Sequence, residues 1–184
     1  MKMNLPMNAP VLTRDDVKDL CLAANWPIAD DEPGEPYEFR DHPATRALAE
    51  MDGLRVGRMG NHAGQTSGEL LFGYRSIEHD DPHVSQWESL LFTRLVNIAE
   101  VDSGHAAMFM DEVGACYMNS NVHDAFAFMG DTLREALEGF VVNRWVKAML
   151  RPGQVSVSLY GLTITARHPQ AHDWRSRIAS HGRR

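Results

Sequence analysis

Two long stretches carry most of the apolar periodicity of this chain. From Asn121 to Leu150, the residues Val122, Phe126, Met129, Leu133, Leu137 and Phe140 recur at spacings of three and four, whereas Asp124, Arg134, Glu135, Glu138, Asn143, Arg144 and Lys147 fall mostly on the opposite side. That period lines side chains along one flank of an α-helix and predicts a helix over 121–150. Asn121 would cap it, Arg144, Lys147 and Arg151 would suit the negative end of its dipole, and Pro152 and Gly153 would stop it. At 1.5 Å per residue such a rod is about 45 Å long and needs a cover along its stripe. A second helix is expected over 82–101, opened by Asp81 and Pro82. Val84, Trp87, Leu91, Leu95 and Ile98 form its stripe, but Leu90, Phe92, Val96 and Ala99 spread apolar surface nearly all round, so burial on more than one side is expected. Glu100 and Asp102 would then lie where the dipole disfavours acids, a local conflict in the pattern.

Period-two alternation is clearest after the first stretch. Val155, Val157 and Leu159, then Leu162, Ile164 and Ala166, alternate with Ser and Thr, and the phase flips at Tyr160-Gly161 as a two-residue hairpin turn requires. Leu54–Met59 and Glu69–Ile77 are further strand candidates on either side of a Gly-rich loop, and 106–110 with 115–118 reads as a hairpin around Asp111-Glu112-Val113-Gly114, although Ala and Met there equally allow helix. Thr13 and Asp16 make a capping box for a short first helix that buries Val17, Leu20, Cys21 and Ala24. Asp41 and Pro43 open another, over 42–51. The order lacks regular βαβ alternation, which predicts an α+β fold: a mainly antiparallel sheet packed against two long amphipathic helices, about 82–101 and 121–150. The expected organisation is a first helix and an acidic, Pro-rich linker in 1–36, an α+β core in 37–168 and a basic tail, with a possible short helix, in 169–184.

Charge modifies this picture. The chain of 184 residues carries −7 overall, yet from Arg167 onward five arginines face only Asp173, so this segment is +4 and the remainder −11. Such a body repels nucleic acid except through its Arg-rich C-terminal tail. The sequence has no apolar run near twenty residues and no apolar core in its first ten, so a cytoplasmic protein without membrane contact is expected. Cys21 and Cys116 have no ligand spacing and form no disulfide framework.

Candidate chemistry is sparse. The stretch from Arg55 to Gly68 has glycines at 57, 60, 64 and 68, with Arg55, Arg58 and Thr66, which suits an anion-binding loop; it is neither a P-loop nor a dinucleotide fingerprint. His62 with Ser67, or Cys116 with His105 or His123, could form a nucleophile and base, although an inert, buried Cys116 is the simpler reading. His79 with His83, and His168, His172 with Asp173, pair imidazole and carboxylate but match no specific ligand signature, and neither a metal nor a cofactor is assigned. Apolar surface in the second helix and the Met-rich segment, represented by Trp87, Phe92, Met108 and Met110, is a candidate partner-binding set. The favoured expectation is a non-enzymatic, acidic interaction or assembly module binding a protein partner or itself. The competing one is a small-molecule transferase or hydrolase with its anion at the 55–68 loop.

Overall fold

The computed structural model describes residues 12–23, 28–31, 39, 41–57, 68–74, 81–141, 146–159 and 161–181. Among them are β1 (Ile28–Asp30), β2 (Leu54–Gly57), β3 (Glu69–Phe72), β4 (Val96–Val101), β5 (Ala106–Met110), β6 (Cys116–Ser120), β7 (Phe126–Gly130) and β8 (Lys147–Met149). These eight form one antiparallel sheet whose spatial order is their order in the chain. A separate hairpin pairs β9 (Ser156–Leu159) with β10 (Leu162–Thr165). The helices are α1 (Arg14–Ala23), α2 (Pro43–Met51), α3 (Pro82–Leu91), α4 (Leu133–Val141) and α5 (Arg175–His181).

The α+β class and the antiparallel sheet agree with the sequence pattern, but the two long helices do not exist. The 82–101 stretch is helical only to Leu91. Phe92 then takes the left-handed conformation, Leu95 N–H donates to the Glu88 carboxylate at 2.8 Å, and the β-branched run from Val96 to Val101 enters the sheet as β4. The acids that would sit badly at a helix C-terminus are in a strand and a turn instead; Asp102 accepts the Glu69 N–H at 2.9 Å.

The 121–150 stretch divides into β7, α4 and β8. Gly130 is where the helical period fails, because a Cβ there would lie 2.8 Å from the Ala136 backbone nitrogen, so only glycine lets α4 fold back this closely on β7. Thr132 and Glu135 then start α4: Glu135 N–H donates to the Thr132 hydroxyl at 3.2 Å, while the Glu135 carboxylate accepts from Asp131 N–H at 2.9 Å. Smaller expectations fare better. Thr13 and Asp16 cap α1 reciprocally; of the two readings left open for 106–110 and 115–118 it is the hairpin that forms, and so does the 155–166 hairpin, although as its own two-stranded sheet. His42, rather than Asp41, caps α2, its Nδ1 accepting from Ala44 N–H at 3.1 Å. Ile28–Asp30, inside the stretch whose composition suggests a linker, pair with β2.

Both faces of the central strands are covered, by different elements. On one face α1, α2, α4 and the β9–β10 hairpin bring Val17, Leu48, Leu137 and Val157 onto Ile98, Met108 and Met118. On the other, α3 and the turn that leads into α5 bring Trp87, Leu91 and Trp174 onto Phe109, Tyr117, Phe126 and Phe128. Every residue of β5 and β6 is consequently buried. Where β4 bulges between Asn97 and Ala99, the Asn97 amide donates to the carbonyls of Ala99 and Met108, each at 3.1 Å, satisfying polar groups the ladder leaves over.

Candidate protein-binding surface

Among the described residues, those singled out for chemistry do not converge. Arg55 projects from β2 and is occupied by two carboxylates, donating to Asp31 at 2.6 and 3.0 Å and pairing with Glu69. Its pKa is raised, first by the hydrogen bond to Asp31. The rest of that loop set, Arg58, His62, Thr66 and Ser67, lies outside the described residues. Cys116 is sealed in the core, and burial, then the neighbouring Asp111 charge, push its thiol far above the ordinary range, so it is a packed apolar group rather than a nucleophile.

His168, His172 and His83 make structural contacts. His168 Nδ1 accepts from Gln170 N–H at 3.2 Å, whereas His172 stacks on Phe128 with ring centroids 4.3 Å apart. Burial, then the Arg177 and Lys147 charges, lower the His172 pKa. His79 lies outside the described residues. His83 lies 2.6 Å from the Asn119 side-chain oxygen through Nδ1, and its Nε2 accepts from the Trp87 indole at 3.3 Å. Among the described residues no three His, Cys, Asp or Glu side chains are grouped as a metal site would need.

A polar network under α5 was not among the expectations from sequence. Asp111, fully buried in the β5–β6 turn, accepts from Val113 N–H, Ala115 N–H and the Tyr117 hydroxyl at 3.0, 2.8 and 2.9 Å. Arg177 reaches in from α5, donates to the Tyr117 oxygen at 3.4 Å, pairs with Asp131 and lies over the Phe128 ring at 4.9 Å. One of the five arginines of the basic tail is therefore an internal clamp, fixing α5 to β6 and β7. The only sequence hint was its spacing of three from Trp174, which puts both on one flank of a short helix.

What remains for a partner is surface. Of the four residues proposed from sequence, Trp87, Met108 and Met110 are core, and Phe92 is 73% exposed. Arg94, whose guanidinium lies 5.3 Å over the Phe39 ring, and Glu112 and Val113 of the β5–β6 turn are also exposed, and Glu112 N–H is bonded to Thr93, the residue after Phe92. No helix among the described residues is long and apolar enough to cross a membrane.

A family model described as SUKH-3 immunity protein matches residues 14–143, which is 130 of the 184 residues. The chain belongs to the SUKH-3 immunity protein family. As a member of that family it matches from the first residue of α1 to just past α4, taking in β1 to β7. β8, the β9–β10 hairpin and α5 lie beyond the match, so part of the cover over both sheet faces does too. Comparison with curated proteins and with solved structures gives no match.

Proposed function

We propose that this chain neutralises a protein toxin by binding it, stoichiometrically and without chemistry of its own. The family match over residues 14–143 carries the reading, since an immunity protein is one that protects against a toxin. The site geometry supports it: Cys116 is inert, Arg55 is taken up by Asp31 and Glu69, and the described polar clusters are fully engaged in holding elements together. The charge of −7 favours a cationic partner surface, which it would steer into contact and hold less tightly at high salt. The complex is a heterodimer, self-association being the competing arrangement.

Co-expression with a toxin encoded beside this chain's gene tests the reading, because protection requires that the two genes be inherited together. Growth should be restored, and titration of the purified toxin should end at one equivalent of the chain, with a one-to-one complex by light scattering. A chain that silences many equivalents of toxin would be acting catalytically, and the binding reading would fall in favour of the transferase or hydrolase alternative.

A further inference from the structure

Phe92 combines two features that folding alone disfavours. It occupies the C-cap of α3 with φ +53° and ψ 44°, the left-handed conformation that glycine adopts freely and a bulky side chain adopts at a cost. A non-glycine residue usually recovers that cost by packing, but the Phe92 ring is 73% exposed and contributes little to the core. The turn that carries it is firmly held. Phe92 and Thr93 N–H both donate to the Glu88 carbonyl, and Leu95 N–H donates to the Glu88 carboxylate at 2.8 Å. The buried Thr93 hydroxyl accepts from Glu112 N–H at 3.3 Å, and the Arg94 carbonyl lies 3.4 Å from His42 Nε2. The Thr93–Glu112 bond joins the α3–β4 turn to the β5–β6 turn, where Val113 is the next exposed apolar side chain. An aromatic ring on an ordered frame binds with little entropy left to lose.

We propose that Phe92 is the anchor of the toxin-binding surface, a knob that enters an apolar socket on the toxin, with Glu112, tied to the same turn through Thr93, at its rim meeting a cationic group. This rests on the toxin-binding reading above and names the contact within it. A second copy of this chain fits less well. One ring and Val113 offer a few hundred Å² at most, against the roughly 1,200 Å² or more that a stable interface buries, and two chains each at −7 repel. An anchor inside a larger interface with a cationic partner meets both constraints.

The test compares the full chain with its Phe92→Gly variant against the toxin identified by neutralisation, with Val155→Ser, at an 83% exposed apolar position on another element, as control. The glycine variant should melt about 2–4 °C higher, since it relieves the left-handed strain, and should bind the toxin at least tenfold more weakly; Val155→Ser should bind as the parent does. A glycine variant that binds within twofold of the parent overturns the proposal, as does one that melts clearly lower, which would make Phe92 a folding residue. Parent chains that self-associate until Phe92 is replaced would give the knob to a second copy and also overturn it. A parent chain that neutralises no toxin fails the reading beneath this one, whereas neutralisation indifferent to Phe92 fails this one alone.

Discussion

Cys21 and Cys116 illustrate how burial sets the behaviour of a single side chain. Cys21 packs inside α1 against the sheet, and loss of solvation pushes its thiol up to about 11 from an ordinary value of 9.0. Cys116 is pushed further. Thiolate is the reactive form, so both should resist an aromatic disulfide reagent at pH 8 and react together only as the chain unfolds, with a rate that follows denaturant. Early modification of one equivalent in native buffer would contradict the packing described for it. The sign of the pH effect follows from the same shift. A thiol whose pKa is raised on folding contributes stability that is complete below about pH 9 and is lost as pH rises through about 11, because the unfolded chain gives up its proton first. A Cys21→Ala variant should therefore lose less stability than the parent between pH 9 and 11, measured by urea unfolding.

At the scale of the element, the junction of β7 and α4 concentrates three local signals within six residues. Gly130 provides room, Thr132 caps, and Glu135 returns to the Asp131 N–H. Gly130→Ala would drive a methyl to within 2.8 Å of the Ala136 backbone nitrogen, which cannot retreat as a side-chain end could, and should cost about 1–3 kcal/mol in urea unfolding. Thr132→Ala removes one cap and should cost about 1 kcal/mol. A Gly130→Ala variant as stable as the parent would mean that α4 does not fold back on β7 this closely. The motif Thr132-x-x-Glu135 and Gly130 both stand in the sequence, but the three-and-four spacing of apolar residues runs through them and favours a continuous helix. Phe126 and Phe128 also stood two apart, the spacing of a strand, and both turn out to point to the α3 and α5 side of the sheet.

For the whole molecule the organising fact is a sheet buried on both faces. Two covers of different character lie over it: a mostly aliphatic and Met-rich one under α1, α2 and α4, and an aromatic one under α3 and α5. In the second, Trp87, Tyr117 and Phe126 stack with centroids 4.9 and 5.6 Å apart, and Arg177 locks α5 over Phe128. Arg177→Met keeps the volume and removes the guanidinium. Hydrogen exchange should then speed up across residues 174–178 by about tenfold or more, as expected for loss of a charged hydrogen bond worth about 1.5–3 kcal/mol, with β5 and β6 little changed. Uniform acceleration through β5 and β6 would show instead that α5 unfolds only with the sheet.

Local interactions were readable from sequence because they depend on neighbours in the chain. The Thr13–Asp16 box, the Asp81-Pro82 start of α3 and the phase flip at Gly161 each need only a few adjacent residues. Whether an apolar run becomes helix or strand depended on what covers it. When both faces of a strand are buried, alternation disappears, and Cys116–Ser120 or Val96–Val101 no longer differ in pattern from a buried helix. The site followed the same division. Phe92 could be chosen from sequence as an apolar residue in excess, but only the tertiary structure separates it from Trp87, Met108 and Met110, because burial is a property of the assembled sheet and its covers rather than of any one segment.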